Sequence, residues 1–64
     1  MAEYIELNAF IKMKGFAATG GQAKVLIRSG AVKVNGQVDT RNKKKLISGD
    51  VVEYQGQKFT VSID

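Results

Sequence analysis

The 64-residue chain contains no cysteine and no histidine. Without cysteine it has no disulfide framework and no thiolate metal site, and without histidine it lacks the commonest metal ligand and general base. No apolar run approaches the roughly 20 residues that a membrane-spanning helix needs. The N-terminal stretch MAEYIEL lacks the basic start and apolar core of a signal peptide. We therefore expect a mature, soluble, cytoplasmic chain with no membrane partner.

The sequence also lacks the motifs of catalysis. It has no nucleophile with a plausible base, no cluster of metal ligands, and no glycine-rich fingerprint for a nucleotide. At 64 residues and 44% hydrophobic content, the chain suffices for one small domain over residues 1–64, with little apolar material for a deep pocket. We interpret it as a binding protein and not an enzyme, with no cofactor and no small-molecule substrate.

Charge is present in quantity but is unevenly distributed. The chain carries ten Lys or Arg against six Asp or Glu, a net charge of +4. Residues 12–45 hold nine basic residues and one acidic residue and so carry +8, whereas residues 1–11 and residues 46–64 each carry −2. A basic central segment between acidic flanks indicates a polyanionic partner.

Apolar spacing predicts a first helix over residues 7–14. Leu7, Phe10 and Ile11 recur at the i, i+3, i+4 spacing of one helical face, and Gly15 follows as the expected C-cap. Residues 16–18 form only a brief connector to the next helix. Two helices joined so closely must pack at a steep angle, as in a helix-turn-helix.

A second helix is predicted between Thr19 and Gly30. The Thr19 hydroxyl can cap it by accepting a hydrogen bond from a backbone N–H two or three residues on. The buried stripe of this helix consists of Ala23, Leu26 and Ile27. Gly30 ends the helix, because glycine is favoured just beyond a helix C-terminus.

Beyond residue 30 the apolar period changes from helical to two. Val32 and Val34 are expected to face inward while Lys33 faces solvent, and Asn35-Gly36 predicts a tight hairpin turn after which a strand returns. Residues 39–45 are expected to form a polar basic loop, and residues 51–63 two alternating runs interrupted at residues 55–57. The predicted fold class is α+β: two short helices in a helix-turn-helix-like arrangement on a small, mostly antiparallel sheet.

The outer face of the second helix carries the most informative residues. Lys24 and Arg28 lie four residues apart beside Gly20 and Gly21, where like charges destabilise an isolated helix by about 0.2–0.5 kcal/mol. A bound phosphate reverses that cost, and glycines in the first turn let a phosphate or sugar approach the free backbone N–H groups. The plain alternative is a solvated helix face that opens with a flexible turn.

Further basic residues extend this surface or form a second one. Lys12 and Lys14 point toward the connector, although Lys14 can instead lay its stem over the core. The loop over residues 39–45 either binds phosphates without fixed geometry or only keeps the protein soluble. Lys33 could bridge the two clusters, and Asn35 is either a turn residue alone or also a contact to a base or ribose.

These segments, in this order, resemble the S4 RNA-binding domain family, which is named for a ribosomal protein. The resemblance covers residues 7–52 and rests on GGQAK, LIRSGAVKVNG, RNKKK and SGDVV. Its most specific part is the G-x-V-x-VNG segment followed about a dozen residues later by GD. The chain is especially similar to the small stand-alone members of the YbcJ and YaaA type.

The resemblance implies an S4-like fold with the αL motif, whose second helix and basic loop bind structured RNA that is ribosomal or tRNA-like, with a ribosomal subunit among the implied partners. The sequence departs from the family pattern in two places: Glu6 stands where many members have arginine, and Gly20-Gly21 replaces the usual Ser-Arg. Nothing of the chemistry of RNA-modifying relatives transfers. The residues predicted to bind RNA are Lys12, Lys14, Gly20, Gly21, Gln22, Lys24, Arg28, Lys33, Asn35, Arg41, Lys43, Lys44 and Lys45.

Two other functions stay open. One is a DNA-binding helix-turn-helix, although the second helix is short, opens with glycines where base-reading side chains should lie, and is accompanied by no dimerisation element. The other is an adaptor that docks on an acidic protein surface. Preference for structured RNA over duplex DNA of equal length, and the steepness of the salt dependence, separate the three functions.

Overall fold

The computed structural model describes residues 3–63, so Asp64, which contributes to the acidic C-terminal flank, lies outside the described residues, as do the first two residues of MAEYIEL. The described chain forms two helices and six short strands. Their bounds are β1 Ile5–Glu6, α1 Leu7–Met13, α2 Gly20–Arg28, β2 Val32–Val34, β3 Gln37–Val38, β4 Lys45–Leu46, β5 Val51–Tyr54 and β6 Gln57–Thr60. The predicted α+β fold class is confirmed.

The capping of α2 follows the sequence prediction and adds to it. The Thr19 hydroxyl accepts a hydrogen bond of 3.1 Å from the backbone N–H of Gln22. The Gln22 side-chain oxygen in turn accepts one of 2.9 Å from the backbone N–H of Ala18. This reciprocal arrangement is a variant of the capping box and fixes where the helix begins. Ala23 and Ile27 are fully buried, as predicted, whereas Leu26 is only half-buried.

The main sheet has the strand order β3-β2-β5-β6, and every neighbouring pair is antiparallel. Asn35 and Gly36 connect β2 to β3 with φ of 53° and 83°, and Gln55 and Gly56 connect β5 to β6 with φ of 53° and 78°. Two consecutive residues with positive φ define the hairpin turn whose twist matches that of the strands. The turn predicted at Asn35-Gly36 is therefore confirmed.

Part of the predicted loop over residues 39–45 belongs to a strand, so that prediction is wrong at its end. Lys45 lies in β4, which pairs with β1 and places Lys45 opposite Glu6 and Leu46 opposite Ile5. A strand of two residues is too short to show an alternating pattern in the sequence. β1 and β4 form because the fold brings them together. β6 likewise ends at Thr60, earlier than the predicted run to residue 63.

The core lies between the helices and the inner face of the main sheet. Among the described residues, eleven hydrophobic ones are buried: Leu7, Phe10, Ile11, Ala17, Ala23, Ile27, Val32, Val34, Leu46, Val52 and Val61. No polar or charged residue within residues 3–63 is buried. None of the helices in this part of the chain is long and apolar enough to cross a membrane. The charged residues therefore lie at the surface, where their positions decide what the protein can bind.

Candidate nucleic-acid interface

The outer face of α2 presents two cations without acidic partners. Lys24 and Arg28 are both exposed, on the side of the helix away from Ala23 and Ile27. Between residues 3 and 63 the one ion pair is the contact of Arg41 with Asp39, so neither Lys24 nor Arg28 has a carboxylate within 4.0 Å. Their mutual repulsion is left uncompensated by this part of the chain, and a phosphate placed between them would relieve it.

The first turn of α2 is open to a ligand. A Cβ added at Gly20 would meet nothing within 4 Å, and one added at Gly21 would meet only the Thr19 hydroxyl, at 3.8 Å. Neither glycine has a positive φ, so the fold itself requires glycine at neither position. Alanine is favoured over glycine inside a helix by about 0.5–1 kcal/mol. The two glycines thus leave the N-terminal backbone of α2 accessible at a cost in stability.

Lys12 and Lys14 lie at the end of α1, next to the connector that leads to α2. Lys12 is exposed in the last helical turn. The Lys14 Nζ lies 5.5 Å from the centroid of the Phe10 ring and 5.6 Å from that of Phe59, within the range of a cation–π contact. The side chain of Lys14 is therefore held against the aromatic edge of the core, and its charge stays at the surface.

Arg41 is engaged within its own loop. Its Nη2 and Nε donate to the two carboxylate oxygens of Asp39 at 2.7 and 3.0 Å, and its backbone N–H donates to the same carboxylate at 2.9 Å. The hydrogen bond from the Arg41 side chain holds the pKa of Asp39 below its usual value. The Arg41 charge is thus offset internally, and Arg41 is the least available of the cations in the basic loop.

The loop that contains Lys43 and Lys44 also closes the N-terminus of α1. The backbone carbonyl of Lys44 accepts from the N–H of Leu7 at 2.8 Å, and that of Asn42 accepts from the N–H of Asn8 at 3.0 Å. The side chain of Glu6, the N-cap residue, makes no capping hydrogen bond. The two loop carbonyls instead satisfy backbone N–H groups in the first turn of α1. The loop and the pair Lys12 and Lys14 consequently lie at opposite ends of α1, about 10 Å apart along its axis.

The three lysines of this loop differ in their surroundings. Lys43 is exposed, whereas Lys44 is half-buried. The charge of Lys44 is close enough to Asp39 and Asp50 to lower the pKa of both. Lys45 projects from β4, and its Nζ lies 5.0 Å from the centroid of the Tyr4 ring. Of the three, Lys43 is the one with no such neighbour among residues 3–63.

Asn35 has structural partners for its side chain. Its Oδ1 accepts from the N–H of Val51 at 2.9 Å, and its Nδ2 donates to Asp50 at 3.2 Å. Asp50 also accepts from the N–H of Ile47 at 2.9 Å, and this bond, followed by that from Asn35, lowers the pKa of Asp50. We call this set of bonds the Asn35–Asp50 clasp. It joins the VNG turn to the GD turn, the two motifs that are most specific in the sequence.

Lys33 lies on the face of the main sheet turned away from the core. Its register partners are Val38 on β3 and Glu53 on β5, and Glu53 in turn pairs with Lys58 on β6. Register partners share a face, whereas Val32 and Val34 point to the other side, into the core. Lys33 is therefore grouped with Glu53 and Lys58 on the outer face of the main sheet.

Comparison with known proteins agrees with this arrangement of helices, turns and strands. A family model of the S4 domain matches residues 1–62. The chain belongs to the S4 domain family. The resemblance seen in the sequence is confirmed, and the helix-turn-helix-like pair α1 and α2 with the VNG hairpin is the S4 fold of this protein.

Two curated relatives and one solved structure are similar to this S4 domain. "Putative RNA-binding protein YbcJ" of Escherichia coli K12 is 38% identical over 58 residues, which cover 91% of this chain and 83% of YbcJ. "Probable ribosome maturation protein RlbA" of Bacillus subtilis 168 is 41% identical over 54 residues, 84% of this chain and 76% of RlbA. The solution structure of YbcJ from E. coli, described as having an αL motif involved in RNA-binding, superposes with a TM-score of 0.67 at 35% identity, covering 94% of this chain and 76% of that one.

One part of the surface of this S4 domain was not anticipated from the sequence. A groove of about 440 Å³ runs between the connector and α2, and it is lined by Phe16, Thr19, Gly21, Gln22, Val25 and Leu26. Val25 is 67% exposed, although its apolar character suits burial. The sequence contained a signal for this exposure. Val25 lies about 200° around the helix from the buried Ala23, which puts it on the solvent side.

Proposed function

We propose that this S4 domain binds structured RNA, ribosomal or tRNA-like, through the outer face of α2, and that it does so without catalysis. The observation that carries the proposal is the combination on one surface of Lys24 and Arg28, which have no acidic partner among residues 3–63, with the accessible backbone at Gly20 and Gly21. Phosphates satisfy both features, since they accept from backbone N–H groups and neutralise cations. Recognition of this kind depends on the shape of a folded RNA.

The names of the relatives support the proposal and extend it. The names of these relatives are "Putative RNA-binding protein YbcJ" and "Probable ribosome maturation protein RlbA". By likeness, we propose that a ribosomal subunit or its precursor is the partner of this chain, that the encounter takes place in the cytoplasm, and that residues 1–64 act as one domain. The αL motif described for the YbcJ structure supports the same assignment.

We expect the remaining cations to contribute unequally to binding. Lys12 and Lys14 adjoin the connector before α2 and would extend the α2 surface, and Lys43 would reach phosphates from the basic loop. Arg41 would contribute little while it is paired with Asp39. Lys33 lies next to Glu53 on the outer face of the main sheet, so we expect its replacement to have less effect than that of Lys24.

The test of this function is a set of binding titrations of the whole chain against an RNA hairpin and a DNA duplex of equal length, at several salt concentrations. We expect tighter binding of the hairpin and an affinity that falls steeply with salt, because phosphate contacts release counterions. Equal affinity for the duplex would favour DNA binding. Absence of binding to both nucleic acids at low salt would favour an acidic protein partner.

Replacing Gly20 by alanine is expected to separate folding from binding. A Cβ at this position has open space, so we expect the free energy of unfolding to rise by up to about 0.5–1 kcal/mol. We expect affinity for the hairpin to fall about threefold or more, because the added methyl group keeps a phosphate from the backbone. Thermal unfolding and the titration measure the two effects. Unchanged affinity would mean that RNA does not approach the first turn.

A further inference from the structure

The groove beside α2 combines an apolar wall with a nearby positive charge. Val25, in that wall, is the most exposed large apolar side chain between residues 3 and 63. Val25 precedes Arg28 by three residues, and Gly21, which also lines the groove, precedes Lys24 by three. Residues at this spacing are neighbours on a helix surface. The two unpaired cations therefore border the edge of the groove that Gly21 and Val25 form.

The opposite wall of the groove is held in place by aromatic packing. The centroid of the Phe16 ring lies 4.8 Å from that of Tyr54 and 5.2 Å from that of Phe59. Such tilted aromatic contacts fix the orientation of a ring. Phe16 is half-buried, so part of its ring stays at the surface while the rest is anchored. The groove is consequently preformed.

Gln22 supplies polar groups at the edge of this groove. Its side-chain oxygen is occupied by the N–H of Ala18 at 2.9 Å, which fixes the orientation of the amide. The amide nitrogen has no acceptor among residues 3–63 and keeps both of its hydrogens available. Carbonyl oxygens on the edge of a nucleobase are suitable acceptors for these donors.

We infer that the groove binds one unpaired nucleotide of the RNA, its base against Phe16 and Val25 and its phosphates on Lys24 and Arg28. This inference rests on the proposed function and adds to it the preference for a bulged or looped-out base. A nucleotide is the occupant because it joins a flat apolar face to an anionic backbone, which matches the apolar groove and its cationic border. A paired base has both faces stacked and cannot enter. The groove volume of about 440 Å³ lies within the range of sites for small ligands.

The test compares two RNA hairpins that carry identical phosphates. One has a single bulged nucleotide, and the other has an abasic residue at the same position. We expect the wild-type protein to bind the first at least about fivefold more tightly, as stacking of one base on an aromatic or apolar wall allows. The dependence of affinity on salt should be the same for both hairpins, because the number of phosphates is unchanged.

Two matched variants test whether the preference for the bulged base depends on the groove. In Val25→Ser we expect the preference for the base to disappear, while the salt dependence is retained. Val38→Ser removes a valine that is 53% exposed on β3 and does not line the groove, and is expected to keep the preference. Both sites are exposed, so neither variant should unfold the protein, and circular dichroism checks this.

The possible failures are distinguishable. Equal affinity of the wild type for both hairpins, with salt dependence that requires Lys24 and Arg28, would overturn the base site and leave the proposed function standing. No binding to either hairpin at low salt would overturn both. A dimer in sedimentation analysis that Val25→Ser abolishes would show that a second copy of the chain covers the groove, and would also overturn the base site.

Discussion

Replacing Lys24 and Arg28 together by alanine is expected to weaken binding of the hairpin RNA by about tenfold or more at physiological salt, while the fold stays intact. Neither side chain contributes to the core, and neither has an acidic partner within residues 3–63. Removing the pair also relieves a repulsion of about 0.2–0.5 kcal/mol in α2. The variant should therefore be as stable as the wild type or slightly more stable.

Fluorescence anisotropy titrations at four or five salt concentrations measure this effect. Beyond the lower affinity, the slope of log K against log salt should become shallower by about 2, since each lost phosphate contact removes roughly one counterion. A partly unfolded variant would also lose affinity, and thermal unfolding of the same sample identifies that case. An unchanged slope would mean that the outer face of α2 does not contact phosphates.

The matched control is the double replacement of Lys33 and Lys58 by alanine. It removes the same number of charges, but from the outer face of the main sheet, where both lysines have Glu53 as a register neighbour. We expect affinity to fall by less than about threefold, through the general loss of positive charge alone. If both double variants weakened binding equally, only the net charge would attract RNA, and the assignment to α2 would be wrong.

The signals that predicted the fold were local ones. The Thr19 cap and the Asn35-Gly36 turn each depend only on residues close in sequence. The predicted helix cap and the predicted hairpin turn are both confirmed. β1 and β4 have two residues each, so their pairing depends on the positions of elements far apart in sequence. No local pattern of side chains encodes such a strand, because tertiary contacts outweigh β-propensity.

The number of basic residues in a segment does not determine how many of them are available to a ligand. The run of cations in residues 41–45 predicted a basic loop that either binds phosphates or only keeps the protein soluble. In the structure Asp39 pairs with Arg41, and Lys44 lies near two carboxylates. Which cations stay available depends on loop conformation, which composition does not contain. The outer face of α2 could be predicted better, because a regular helix converts spacing directly into position.

Replacing Asp50 by alanine is expected to be the most damaging surface substitution for stability. It removes the carboxylate that accepts from Ile47 and Asn35, and hydrogen bonds to a charged acceptor contribute about 1.5–3 kcal/mol. We expect a loss of about 2 kcal/mol in the free energy of unfolding. A domain of this size has only roughly 3–10 kcal/mol of stability in total, so the melting temperature should fall by about 8–16 °C.

Asp39→Ala is the matched control, because it also removes a hydrogen-bonded carboxylate from a loop. The Asp39 side chain is only 10% exposed, but its partner Arg41 is 69% exposed and belongs to the same loop, so its loss should cost about 1 kcal/mol, less than the loss of Asp50. Chemical denaturation compares the two variants. Equal losses would contradict the view that Asp50 joins two turns of the fold while Asp39 orders only its own loop.

The pH dependence gives a second readout for Asp50. Because folding lowers the pKa of this carboxyl group from its usual 3.8, the stabilisation is present above that value and is lost as pH falls through the lowered pKa. Wild-type stability should therefore decline below about pH 4, and Asp50→Ala should lack that part of the decline. The same decline in both proteins would show that other carboxyl groups cause it.

Asn35→Ala then decides between the two roles considered for Asn35. If the side chain acts only through the clasp, this variant should lose stability, and the double variant with Asp50→Ala should lose less than the sum of the single losses. Its affinity for RNA, measured where the protein is fully folded, should equal that of the wild type. A lower affinity in the folded protein would show that Asn35 also contacts RNA. The VNG turn would then belong to the interface as well as to the fold.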